Sequence, residues 1–251
     1  MEEFPEKVFE YIFKSLEETK FWECITYNTI MYEGTEDAVA YSCKKAESVT
    51  DTDLYKSLDS FFISNPGSYF IRDNVRSPKD AYYFVNETAN VDNLDDIIEI
   101  MGYLKVSSAM DCIDILITSG RFYEDLHEYG NIKGFSIVLL PWKDIDYQTE
   151  TRCFIHNNNV IAVSQYYDLV VDHSITDRIA ELLPEFIINN VFADTNRSTC
   201  VVDVYLKDND TLEIIEFNPF NQDVDTCLFT WDEIQNIIDS GIYKQRIEYR
   251  R

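Results

Sequence analysis

"VVDVYLKDNDTLEIIEFN", residues 201–218, reads as two apolar runs joined by an acidic, turn-forming tetrad. Lys207-Asp208-Asn209-Asp210 is turn chemistry between runs rich in β-branched residues, so the stretch predicts an antiparallel hairpin. A two- or four-residue loop centred on Asp208 and Asn209 pairs Leu206 with Thr211. That register sets Asp203 opposite Ile214 and Val201 opposite Glu216. Side chains alternate between the faces of a strand, so Asp203, Glu216 and Asn218 share one face. Asp203 and Glu216 are then diagonal neighbours, about 7–8 Å apart at the backbone. Val202, Val204, Ile215 and Phe217 take the other face, which can bury. A slip of one residue would scatter the polar set.

The set has a chemistry. Two carboxylates at that distance converge on one or two hard cations, and the asparagine adds a neutral oxygen. Magnesium takes few protein oxygens and leaves its other positions to water and phosphate. Asp, Glu and Asn together therefore suit a metal shared with a nucleotide's phosphates. On a chain this acidic, Glu-x-Asn also falls by chance on solvated strands, and spacing alone leaves both readings open.

Outward from the hairpin, Thr230 with Glu233 three residues on reads as a capping box, and the helix it opens stops near Gly241. Residues 176–192 have helical character, with Pro184 expected to kink or restart the helix. "TRCFI" (151–155) and "VIAVSQ" (160–165) flank "HNNN" as a second hairpin whose register the sequence leaves open. "FSIVLLPW" (135–142) is a continuous apolar strand broken at Pro141. Helices are expected over 109–119, ending at Gly120, and after Asp92 as N-cap, carrying Leu94, Ile97, Ile98 and Met101. "SYFIR" (68–72) reads as a strand, with "SPKDA" (77–81) as the turn or helix start after it. Val8, Phe9, Ile12 and Leu16 at helical spacing predict an opening helix over 6–18. Hairpins and only seven glycines argue against a Rossmann sheet, and the class is α+β.

The 251 residues suffice for one large domain or two lobes. Hydrophobic residues make up 45%, too many for a disordered chain, and no apolar run reaches the ~20 residues of a membrane span. The opening "MEEFPEKVFEYIF" is acidic and amphipathic, unlike a secretory signal. Cys24, Cys43, Cys112, Cys153, Cys200 and Cys227 are scattered without a C-x-x-C, so reduced and mostly buried thiols are expected. These features predict a soluble, cytoplasmic monomer. The net charge of −25 repels nucleic-acid backbones and anionic lipid and favours a basic partner, or serves solubility alone. His127, His156 and His173 lack zinc-ligand spacing. Neither a G-x-S-x-G elbow nor a Walker A motif is present.

Several segments resemble, in order, the cell division cycle protein 123 family, a divergent branch of the ATP-grasp fold. "VVDVYL…LEIIEFNPF…DTCLFTWDE" carries the resemblance most clearly. "TRCFIHNNNVIAVSQYYD" (151–168) is similar to that family's Arg-Cys-Phe strand pair ending in Ser-Gln. "SSAMDCIDILITSGRFYEDL" (107–126) resembles its serine-led helix, "FIRDNVRSPKDA" (70–81) its lysine strand with Ser-Pro-Arg-Asp-Ala, and "KFWECITYNTIMYE" (20–33), more loosely, its tryptophan region.

The resemblance implies two lobes with ATP and Mg2+ between them. It suggests an N-terminal region over 1–65, a smaller lobe over 66–135 and a C-terminal lobe over 136–251. It implies that Asp203, Glu216 and Asn218 are the magnesium ligands, with Glu216 where the family has aspartate. Arg72 stands where the family has a phosphate-reaching lysine, and a planar fork is not a point charge. Arg152 matches a family arginine suited to a phosphate oxygen, or to one of the many acids. The hinge strand would lay Val138, Leu139, Leu140 and Trp142 along the adenine, with Asp144 or Asp146 at the ribose.

Two family cations are missing. Leu140-Pro141 replaces a basic pair before Trp142, and Tyr166 replaces an arginine. Charged contacts are worth roughly 1.5–3 kcal/mol each, so ATP affinity is expected to fall unless Lys143 or Lys79 substitutes. The resemblance also implies a role in assembling eukaryotic translation initiation factor two through its gamma subunit. An ATP-grasp ligase that phosphorylates a carboxylate is a second reading, and a nucleotide-free mimic of the assembly factor a third.

Overall fold

The computed structural model describes residues 7–13, 25–31, 39–45, 50, 52–86, 93–129, 134–168, 173–191, 198–208, 211–242 and 248–250. The chain divides into two compact units, Pro5–Lys143 and Asp144–Arg251. Helices and largely antiparallel sheets make the fold α+β, as the hairpin pattern predicts.

The first unit runs β1 (Phe9–Ile12), β2 (Ile25–Met31), β3 (Val39–Lys45), α1 (Asp53–Ser64), β4 (Tyr69–Asp73), α2 (Asp80–Val85), α3 (Leu94–Tyr103), β5 (Lys105–Val106), α4 (Ala109–Thr118), α5 (Gly120–Tyr129) and β6 (Ser136–Pro141). One sheet has the order β1-β6-β4-β5, and β2 and β3 form a separate hairpin. The core packs Ile71, Ile137 and Leu139 of the sheet against Leu54 and Leu58 of α1 and Ile113 and Leu116 of α4.

Two expectations fail in this unit, each for a physical reason. The expected opening helix is instead the strand β1, antiparallel to β6. The aromatic residues Phe9, Tyr11 and Phe13 recur every second residue and face the core, while Val8 and Ile12 are exposed. Period two thus beats the weaker spacing of three and four, and Leu16 lies outside the described residues. The cap of α3 is Asn93, whose side chain accepts from the Asp96 amide. Asp92 lies outside the described residues. α4 ends at Thr118 with Ser119 extended, close to the expected 109–119, and Gly120 opens a separate helix, α5. Its first turn is held by Asp80, which accepts from Ser119 Oγ at 2.6 Å and from the Arg121 amide at 3.0 Å.

The second unit runs β7 (Thr151–His156), β8 (Asn159–Gln165), α6 (His173–Asn190), β9 (Cys200–Asp208), β10 (Thr211–Asn218), α7 (Trp231–Ser240) and β11 (Glu248–Arg250). Its sheet has the order β10-β9-β7-β8-β11, with β11 parallel to β8. The β7–β8 turn places Asn157 and Asn158 at φ 49 and 58, the left-handed pair that a two-residue type I′ turn requires. Its register, open in the sequence, sets His156 opposite Asn159. Pro184 does not divide α6. It is exposed, and the buried stripe Ile179, Leu183, Ile187 runs past it. α7 has the expected capping box on Thr230 and Glu233 and ends at Gly241 with φ 64.

Strand alternation gives the sheet two apolar faces. Cys153, Val202, Val204 and Leu206 pack with α6, while Phe154 and Val201 pack with Phe229 and Ile234 on the α7 side. Arg152 and Asp203 share the parity of Phe154 and Val201. They therefore project on the α7 face, beside the segment that links β10 to α7.

Candidate functional site

The β9–β10 hairpin differs from the regular one in a way that sharpens the site. Its turn pairs Thr211 with Asp208 rather than with Leu206, and an irregularity follows at once, since Leu212 faces Leu206. A second irregularity lies between Ile214 and Glu216. Ile214 is opposite Val204, and Glu216 is directly opposite Asp203 instead of diagonal to it. A bulge puts two residues of one strand against one of the other. Ile215 is the extra residue, while Ile214 and Phe217 pack on the α6 side. Asn218 pairs with Val201, so Asp203, Glu216 and Asn218 do meet on one face.

The contacts are direct. Asn218 Nδ2 donates to Asp203 Oδ2 at 3.2 Å and lies 3.4 Å from Glu216 Oε1. Asp203 is fully buried, Asn218 is buried and Glu216 is half-buried. The Asp203 carboxyl is raised above its ordinary value. Burial is the largest cause, Arg152 pulls it back, and the Glu216 carboxyl, which shares a hydrogen bond with it, pushes it up again. Two carboxyls this close do not both ionise freely, and either a shared proton or a cation relieves them.

Arg152 dominates the surroundings. It stands directly opposite Asp203 across β7 and β9. Nε donates to Asp203 Oδ1 at 2.8 Å and Nη2 to Oδ2 at 2.7 Å, a bidentate fork. Nη1 donates to the Asp225 carbonyl at 2.5 Å. The Tyr166 ring lies 4.9 Å from the guanidinium carbon. Where the resemblance implies a second cation, this chain thus supplies an aromatic face to the first.

The segment after β10 is folded onto this group. Asp225 Oδ1 accepts from the Cys227 amide, and Cys227 has φ 54, a left-handed conformation uncommon outside glycine. The Leu228 amide donates to Ser164 Oγ, and Arg250 Nη1 to the Leu228 carbonyl. The roles of Asp225 and Tyr166 escape a reading by composition, because one acts through its carbonyl and the other through its ring. "DTCLFTWDE" was the available signal.

The remaining sequence candidates divide between the units. Asp144 and Asp146 open the second unit and are exposed, and Asp146 Oδ1 caps the Gln148 amide at 3.1 Å. Arg72, Val138, Leu139, Leu140 and Trp142 lie on or just beyond β4 and β6 of the first unit. Arg72 and Val138 are buried cross-strand partners, and Arg72 Nε donates to the Asp73 carbonyl at 3.0 Å. β6 is an interior strand. The Leu139 carbonyl accepts from the Val8 amide, and the Trp142 amide donates to the Ser68 carbonyl. These groups are already engaged, which narrows the backbone that a base could read. Lys105 Nζ sits 4.9 Å from the Trp142 ring centre.

Among the described residues, no group of three His, Cys, Asp or Glu is placed to hold a metal. The donor set on the hairpin is of another kind, two carboxylates and an amide. It fits a hard cation in its chemistry, since the two acids are in contact and a cation between them relieves their repulsion. To serve as a ligand, Asn218 would turn its amide to present Oδ1. Cys112, Cys153 and Cys200 are buried, as expected. Among the described residues, no helix is long and apolar enough to cross a membrane.

These features define an α+β protein of two units, whose second unit carries an acidic pair and an asparagine on a bulged hairpin, braced by a buried arginine. The chain belongs to the D123 family, whose model matches residues 28–250. It is 28% identical over 189 residues to the translation initiation factor eIF2 assembly protein of Candida albicans, covering 72% of this chain and 53% of that one. It is 30% identical over 176 residues to the protein of the same name from Xenopus tropicalis, covering 67% and 50%. The chain thus spans about half the length of these relatives. The structure of Cdc123 from Schizosaccharomyces pombe is similar at a TM-score of 0.59 and 21% identity, covering 92% of this chain and 91% of that one. A C-terminally truncated form of it is similar at 0.60 and 22%, covering 78% and 75%. At that identity the likeness is one of fold.

Proposed function

We propose that this chain is an ATP- and magnesium-binding factor of ATP-grasp type that promotes assembly of translation initiation factor eIF2 in the cytoplasm by binding its gamma subunit. The single observation that supports the nucleotide part is the meeting of Asp203, Glu216 and Asn218 on one face, with Arg152 forked onto Asp203. Membership of the D123 family, and relatives named for eIF2 assembly, support the partner. Asp203, Glu216 and Asn218 would hold the ion. Magnesium, when bound, would neutralise and orient phosphate oxygens. Arg152 keeps Asp203 ionised and aimed, and the strands hold both rigid. A site of this kind positions a nucleotide, and nothing in its geometry demands that the nucleotide be consumed. The acidic surface, at a net charge of −25, complements a basic patch on the partner.

The partner is tested by retention of purified gamma subunit on the immobilised chain at moderate salt, with and without Mg-ATP. Retention strengthened by Mg-ATP is expected. Failure to retain the subunit under either condition removes the assembly role.

A further inference from the structure

We infer that Arg152 is a positioning residue, not a phosphate ligand: its fork fixes Asp203 for an ion while its third nitrogen ties the Asp225–Leu228 segment to the same carboxylate. The inference rests on the proposed ion site. Its geometry is independent of any nucleotide.

A phosphate-binding arginine needs donors directed outward. Here Nε–H and one N–H of Nη2 go to Asp203, and one N–H of Nη1 goes to the Asp225 carbonyl, which fixes the plane of the guanidinium and the direction of its two remaining N–H groups. The group is 4% exposed, and the Tyr166 ring lies against the guanidinium. Turning Arg152 toward a phosphate would break three charge-assisted bonds and leave Asp203 buried beside Glu216 without compensation.

The tether reaches further than the carboxylate. Asp225 is bonded at two atoms, its carbonyl by Arg152 and its Oδ1 by the Cys227 amide. Cys227 is held at positive φ between that turn and the Leu228–Ser164 bond. Loss of the Arg152 bond leaves a strained residue with fewer restraints, and Cys227, half-buried in the intact segment, should open to solvent. Its thiol therefore reports on the tether without any ligand.

Arg152→Lys is the discriminating variant, because it keeps the charge and cannot form the fork. Manganese binding to the full chain, followed by electron paramagnetic resonance without nucleotide, should weaken about tenfold, as for other residues that orient a metal ligand. Alkylation of Cys227, read by peptide mass, should accelerate about fivefold, within the scale of losing one charged hydrogen bond. The ratio of Mg-ATP to Mg-ADP affinity should not change. Tyr166→Leu, a milder change, should move manganese binding and alkylation the same way, by about threefold. It decides the matter if Arg152→Lys fails to fold. Asp225→Ala keeps the carbonyl that Arg152 holds and removes only the Oδ1 bond to the Cys227 amide, so it should accelerate alkylation while leaving manganese affinity intact, which separates the turn from the fork.

Wild-type behaviour of Arg152→Lys in both assays overturns the inference. So does a loss confined to Mg-ATP with manganese binding unaltered, the signature of a phosphate ligand. If the wild-type chain binds no manganese, the ion site itself is wrong, while the alkylation rates still decide whether Arg152 holds the segment.

Discussion

Replacing Arg152 by methionine removes the compensation from a fully buried carboxyl, and the cost can be bounded. Breaking one partner out of a buried pair typically costs about 3–5 kcal/mol. Asp203 has an escape, however, because it can take up a proton. From the ordinary value of 3.8 to pH 7 is about three units, which at about 1.36 kcal/mol per unit caps the protonation cost near 4 kcal/mol. The variant should therefore lose about 3–4 kcal/mol at pH 7. The sign of the pH dependence follows. Without Arg152 the folded-state value of Asp203 rises further above the unfolded one, so stability is retained below about pH 4 and lost as pH rises. With the wild-type carboxyl itself raised to about 6, the deficit should shrink by about 1.4 kcal/mol between pH 7 and pH 6 and level off below that, where Asp203 takes up its proton in both forms. Urea denaturation followed by circular dichroism at pH 5, 6 and 7 measures it. Adding Asp203→Asn should recover much of the loss, since the buried charge is gone. A deficit that stays constant with pH, or one below about 1 kcal/mol at pH 7, would refute a buried ion pair at this position.

Asp73 offers an independent pH test in the first unit. Its carboxyl is raised to about 7, by burial first and by Asp125 second, although its Oδ1 accepts from the Val75 and Arg76 amides. Stability from this residue is full below about pH 4 and declines as pH rises toward 7, so Asp73→Asn, which keeps the acceptor, should stabilise the chain at pH 8 and flatten that decline. Glu233 behaves oppositely. Forked by Arg250 and bonded by the Thr230 amide, it is lowered to about 2. Its contribution is present above 4.5 and lost as pH falls toward 2, and Arg250→Ala should return its titration, followed by NMR, toward the ordinary range.

Much of the second unit was legible because its signals are local. The Thr230–Glu233 box, Gly241 after α7 and the acidic turn before Thr211 each act within a few residues. Elements fixed by distant partners were not. β1 is a strand because β6 lies beside it, and a spacing of Val8, Phe9 and Ile12 that suits a helix cannot reveal that neighbour. The bulge at Ile215 is of the same kind. A regular hairpin would set Asp203 against Ile214, but Val204 takes Ile214 while Glu216 moves opposite Asp203. The polar face survived this error because it was defined by parity along β9 and by the pair Glu216 and Asn218. Arg152 was legible as a charged group at the site. Its commitment to Asp203 and to the Asp225 carbonyl was not, since a backbone oxygen leaves no mark in the sequence.

The central claim is that Asp203, Glu216 and Asn218 together hold the magnesium of a bound nucleotide. Isothermal calorimetry with ATP, with and without magnesium, on the wild-type chain and on Glu216→Ala tests it most directly. The account predicts saturable binding by the wild type only with magnesium, and loss of that binding in the variant. Absence of binding to the wild type, or equal binding by Glu216→Ala, would contradict it.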